Sequence, residues 1–388
     1  MTRRELLAAL AAAPLLTRIG RAAPSAVVSI AQCPSYDEDL VGAMSTMFDQ
    51  IGGLPRLVRN KTVTIKLNLT GGTDDRVNGK LPGLTHYTHP KTVFAMCHLL
   101  DRAGATRIRL VEGAFATSAP LDEFMLNAGW NVRAFQSVAK NVEFENTNVL
   151  GTGKKYERIT VPGGGIIFPA YNVNHSYVDT DVFVSMAKLK NHATCGVTLT
   201  TKNLFGITPI SIYGDDAGVD EPNENPTSGR GAVGHAATRQ PARCAPAELD
   251  PKSPREATWR MPRVAAELSA ARPIDIAFID GIQSIAGGEG PWVDGVVPVQ
   301  PGVLILGANS VATDAVATAV MGYDPRAPRG TAPFEHCDNT ILLAESLGVG
   351  TADLQNIEVA GVPIDKARFP FADYIKAKPQ AAEKQSQG

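Results

Sequence analysis

The sequence lacks the features that would commit it to a metal cluster, a nucleic acid or a membrane. None of its five cysteines, Cys33, Cys97, Cys195, Cys244 and Cys337, stands in a C-x-x-C spacing. A zinc ribbon or an iron–sulfur cluster built from a local motif is therefore excluded. Charge of one sign is also missing. With 37 Lys and Arg against 39 Asp and Glu the formal charge is −2, so no basic field exists to hold a nucleic acid by counterion release. The N-terminal apolar stretch, residues 6–16, is about half of the roughly 20 residues that span a bilayer. No stable membrane insertion is expected. The run Gly163-Gly164-Gly165 has no Lys-Ser/Thr after it, and no G-x-G-x-x-G stands between a strand and a helix, so nucleotide motifs are unsupported. There is no internal repeat. With 36 Gly and 27 Pro in 388 residues and 44% hydrophobic residues, the composition is that of a chain with a core, not a low-complexity one.

What is present begins at the N-terminus. Met1-Thr2-Arg3-Arg4-Glu5 precedes the apolar stretch, and Gly20-Arg21-Ala22 supplies small residues around a cleavage point. This is the three-part layout of an export signal, and the paired arginines indicate the twin-arginine route and its machinery as a partner. The alternative is an amphipathic first helix. The expected location is periplasmic or otherwise exported. Removing residues 1–22 takes away four arginines and one glutamate, which moves the charge from −2 to −5 and favours solubility. Substrates of that route generally cross folded, which hints at a cofactor loaded beforehand. An exported chain could form one or two disulfides, with buried inert thiols as the plainer alternative.

Periodicity predicts one large α/β domain over residues 27–361. Residues 27–31, 62–67, 107–111, 180–186, 274–279, 303–307 and 357–359 read as strands, and residues 88–103, 120–128, 259–271, 310–321 and 339–347 as helices. Ser35 and Glu38 have the capping-box spacing ahead of a helix carrying Leu40, Met44, Met47, Phe48 and Ile51. Residues 131–169 read as a β-rich insertion or sheet extension. In residues 194–205 helix and strand compete, with helix favoured. Residues 214–258 form a long polar excursion suited to a lid, and residues 376–388 a flexible tail. The expected fold is α/β, a largely parallel mixed sheet flanked by helices.

Ligands in such sheets sit beyond the carboxyl ends of the strands, and the polar groups fall there. Lys66 and Asn68 follow one strand, Glu112 ends the next, Lys188, Lys190 and His192 follow a third, and Asp280 a fourth. Crowded lysines can hold a carboxylate or phosphate and carry depressed pKa values; the plainer reading is solvated loop charge. Lys66 and Asn68, two apart, suit one anion between them. Glu112, Asp280 and Asp314 offer ion pairs or a hard-cation site, and Asp314 can instead stabilise a helix start. Glu289, in a glycine turn, is expected to be exposed. His86 and His89 read as loop polarity rather than a metal pair, and His98, His175, His235 and His336 as surface or satisfied histidines. Cys195, near His192, is more simply an inert thiol.

The stretch Ala187-Lys188-Leu189-Lys190-Asn191-His192-Ala193-Thr194-Cys195-Gly196, continuing through Thr201-Lys202-Asn203-Leu204-Phe205-Gly206, strongly resembles the signature of the domain of unknown function 362 family. Further blocks occur in the family's order: Ile65-Lys66-Leu67-Asn68, Thr88-His89-Pro90, Val111-Glu112-Gly113, Ile279-Asp280-Gly281, Gly290-Pro291, and Asp314-Ala315-Val316-Ala317. The resemblance covers residues 27–361. It implies function at Lys190, His192 and Lys202, with Asn203 beside them, but no established activity. Many family members carry a fused ferredoxin module, which is not found in this sequence. Ala187 and Asn191 depart from the usual proline and threonine, and Glu289 from a frequent aspartate. A fainter likeness is to nickel-pincer lactate racemases, through the order His192, Gly196, Lys202, without a matching set of catalytic histidines.

Together these residues suggest a cleft that binds a small anionic ligand or an organic cofactor of unknown identity. In this reading Lys190, His192, Lys202, Glu112 and Asp280 carry proton-transfer or redox chemistry, and Lys66, Asn68, Lys188, Asn203 and Asp314 hold the bound molecule. The alternatives are a periplasmic binding or scavenging module without turnover, and a buried ion-pair network with a structural role only.

Overall fold

The computed structural model describes residues 26–375. The expected signal, residues 1–22, and the tail, residues 376–388, lie outside the described residues. Eight strands form the main sheet: β1 (Ala26–Gln32), β2 (Thr62–Lys66), β3 (Arg107–Glu112), β4 (Val142–Asn146), β5 (Val182–Lys188), β6 (Ile276–Gly281), β7 (Val303–Gly307) and β8 (Ile357–Gly361). Their order is β8-β1-β7-β6-β5-β2-β3-β4. Only β7 runs against its neighbours β1 and β6; the other pairings are parallel. The α/β expectation therefore holds.

The central strands read as continuous apolar runs because both faces are covered. Alternate residues of β5 go to opposite faces: Val184 and Met186 join one cluster with Met44, Phe48 and Met96, while Phe183 packs on the other side with Val264 and Leu268. On the first face lie α1 (Leu40–Gln50) and α2 (Pro90–Arg102). On the second lie α3 (Leu199–Asn203), α4 (Ala257–Ala271) and α5 (Ser310–Val320). No helix among the described residues is long and apolar enough to cross a membrane.

Several local expectations need correction. The cap of α1 is Asp39, whose Oδ1 accepts the Gly42 N–H at 2.9 Å; the Ser35/Glu38 spacing lies one turn too early. The region 131–169 starts with a helix, Val132–Val138, before contributing β4 and a hairpin of Glu157–Thr160 with Ala170–Val173. The helix expected over 194–205 shrinks to α3, because Gly196–Val197 first pairs with Asn191–His192 and Leu199 takes a left-handed φ of 44°. The polar excursion, 214–258, buries Val233, Ala242 and Ala245 against the sheet's second face. It also forms one wall of the strand-end cavity. All five cysteines are free thiols, and burial pushes Cys195 up to about 11, which keeps it protonated and inert at neutral pH.

Candidate functional site

The site grows from the ends of β2 and β3. Lys66 is the last residue of β2 and, by the two-residue period, faces away from Val63 and Ile65. It is 1% exposed. Its Nζ lies 2.5 Å from Glu112 Oε1 at the end of β3 and donates to Leu67 O at 2.7 Å and Asn203 Oδ1 at 3.3 Å. Glu112 Oε2 accepts the Leu69 N–H at 2.9 Å. Burial pulls the Lys66 ammonium down from its ordinary range and the Glu112 charge pulls it back. Asn68 Nδ2 donates to the same Asn203 Oδ1 at 3.0 Å, so Lys66 and Asn68 do reach one acceptor. In this structure that acceptor is a side-chain amide. Residue 206 has no room for a side chain: a Cβ at Gly206 would stand 2.8 Å from Lys66 Nζ and 3.0 Å from Glu112 Oε1.

The next wall is α3 with its anchor on α5. Asp314 accepts from the Thr200 N–H at 2.8 Å, the Thr200 hydroxyl at 2.6 Å and the Thr201 N–H at 2.9 Å, so it holds the first turn of α3 in place. Burial outweighs these bonds and pushes the Asp314 carboxyl up to about 6. At the far end of α3, Lys202 is 9% exposed, and its Nζ lies 4.9 Å from the Phe205 ring centre. It makes no hydrogen bond or ion pair to the described residues. Arg230, from the polar excursion, donates to Thr208 O at 2.7 Å, Asn148 Oδ1 at 2.7 Å and Gly113 O at 3.2 Å, with no carboxylate of the described residues in ion-pair range.

His192 and Glu289 face each other, Nδ1 to Oε2, at 3.7 Å. The Thr194 N–H donates to His192 Nδ1 at 3.1 Å. The neutral ring therefore carries its proton on Nε2. Burial holds the histidine well below its ordinary range. Glu289 is 9% exposed, contrary to the expected exposure. Burial pushes its carboxyl up, but the Ala193 N–H at 2.8 Å, the Trp292 Nε1–H at 3.0 Å and the nearby Lys202 charge outweigh it and hold it at about 2.

These groups enclose a cavity of about 460 Å³. Lys66, Asn68, Glu112, His192, Lys202 and Asn203 all line it, as do Arg230, His235 and Glu289. Four of the residues singled out from the sequence do not. Lys190 is buried behind the wall, where Nζ donates to His86 O at 2.8 Å and Glu289 O at 3.0 Å, and burial pushes it down to about 7. Lys188 and Asp280, both fully buried, pair at 3.1 Å. Around them Tyr36 Oη accepts from Lys188 at 2.8 Å and donates to Asp280 at 2.9 Å, and the His89 N–H donates to Asp280 at 2.9 Å. Asp314 sits beneath α3.

Sequence reasoning missed Arg230, Trp292, Phe115 and Phe205, and read His235 as a surface or satisfied residue. Arg230 and His235 lie in the excursion, whose polarity hid their inward direction. Trp292 follows the Gly290-Pro291 turn, which was a usable signal. His86 and His89 do not share a metal: His86 packs edge-on to Trp292, and His89 caps α2 while stacked 3.6 Å from Tyr36. His192 and Lys202 both line the cavity. Among the described residues no group of three or more His, Cys, Asp or Glu is placed to hold a metal ion.

The chain is 25% identical over 184 residues to the Thylakoid-associated protein sll1697 of Synechocystis sp., covering 47% of this chain and 50% of that relative. It thus spans about half the length of the relative. No solved structure matches. A protein-family model described as Domain of unknown function (DUF362) matches residues 63–319, well over half of the chain and the span that supplies every cavity residue named above. With that span filled by the sheet ends, α3 and the glycine turn that build the cavity, the chain belongs to the family of the domain of unknown function 362.

Proposed function

We propose that the strand-end cavity binds a small organic anion, substrate or cofactor, whose charge sits between Lys202 and Arg230. The observation that carries this reading is the Lys202 ammonium, which lines the cavity with neither hydrogen bond nor ion pair to the described residues. A cation in a cavity wall without an internal partner is open to an anion that supplies the missing charge. Arg230, whose Nε and Nη2 already donate within the protein, adds a second positive charge to the cavity wall. The Lys66–Glu112 pair is electrically neutral and can pass a proton across its short contact, and His192 offers its Nε2–H as a donor. Lys190, Lys188, Asp280 and Asp314 serve this site by positioning its walls.

Calorimetric titration with succinate and with inorganic phosphate tests the reading. At least one should bind, and Lys202→Met should weaken it at least tenfold. Equal affinity in that variant, or no binding of either anion, overturns the proposal. Native mass spectrometry of the protein purified from its own host separates a resident cofactor, seen as a retained mass, from an exchangeable ligand. We further propose that the chain is exported by the twin-arginine route. A double Arg3→Lys, Arg4→Lys variant should accumulate inside the cell, whereas unchanged export in fractionated cells would refute that assignment.

A further inference from the structure

The proposed anion site has a neighbour that simple anions do not need, and it is aromatic. Trp292 and Phe115 line the cavity while remaining 48% and 51% exposed, and large rings left half in water beside a pocket mark a surface that a ligand covers. Trp292 is placed rather than loose. Its Nε1–H donates to Glu289 Oε1 at 3.0 Å, and the six-membered ring lies against Gly71 and Gly290, where any Cβ would collide with it. The two glycines leave room for a flat indole and for nothing wider.

Resting on the anion-binding reading, we infer that the ligand is a planar aromatic acid. Its carboxylate or phosphate meets Lys202 and Arg230, and its ring is covered by Trp292 and Phe115. A cavity of this size holds one such molecule.

Calorimetric titration of the full chain with 4-hydroxybenzoate, benzoate, phenyl phosphate and succinate tests the assignment. 4-Hydroxybenzoate and benzoate should both bind at least tenfold tighter than succinate, and phenyl phosphate against benzoate tells which anion is preferred. Trp292→Ala should erase the advantage of the aromatic acids and Trp292→Phe should keep it, with circular dichroism checking that both fold; if Trp292→Ala does not, the comparison of benzoate with succinate on the unmodified chain decides the point. Succinate binding that depends on Lys202, with aromatic acids no tighter, overturns this inference and leaves the anion site standing. Failure of all four probes overturns both.

Discussion

Two buried lysines, Lys188 and Lys202, are alike in sequence, and the structure gives them opposite energetics. Lys188 is enclosed by Asp280, Tyr36 and Gly83 O. Asp280→Ala leaves that ammonium uncompensated and should cost about 3–5 kcal/mol in urea denaturation; a loss below about 1 kcal/mol would show that the pair is not structural. Lys202 has no such enclosure, so Lys202→Met should raise stability by about 1–2 kcal/mol while it weakens anion binding, the trade-off expected of a functional group held against its own preference. A destabilised Lys202→Met protein would contradict the unpartnered ammonium. Sequence could nominate both lysines, but only coordinates say which has a partner.

At the scale of elements, α3 is five residues long, too short to stand without tertiary support. Asp314 supplies that support from α5. Its carboxyl is pushed up to about 6 by burial, from an ordinary 3.8. A raised carboxyl binds its proton more tightly in the native state. Its contribution to stability is therefore fully present below about pH 4 and lost as the pH rises through about 6. Asp314→Asn cannot titrate, so the stability of the unmodified chain relative to this variant should fall between about pH 4 and 7. Urea midpoints across that range check it, and a flat difference would rule it out. The strands around this helix were legible because buried parallel strands are apolar throughout. The helix was only half legible: its threonines and the left-handed Leu199 carry no helical periodicity, and the residue that anchors it lies 114 positions away.

For the whole molecule, the polar excursion matters most. Its composition predicts a segment without a core of its own, yet the structure lays it over the sheet end and fastens it through Arg230 to Gly113 O and Asn148. Arg230→Ala should release that wall. Thermolysin should then cleave within residues 214–258 several-fold faster, while the melting temperature of the remaining sheet changes little. An unaltered cleavage rate would mean that the remaining contacts, such as Arg239 with the carbonyls of Asp215 and Ala217, suffice to hold it.

Sequence by itself determined the α/β class, the strands and the edge on which the chemistry gathers, because hydrophobic period and strand-end polarity are local properties of the chain. Tertiary structure alone decided which charges share the cavity and which are locked away in pairs. That depends on register, as when β5 and β6 set Asp280 beside Lys188, and on long loops folding back, as when Arg230 and Trp292 close the site. Pairing and burial are relations between distant residues, and no local pattern records them.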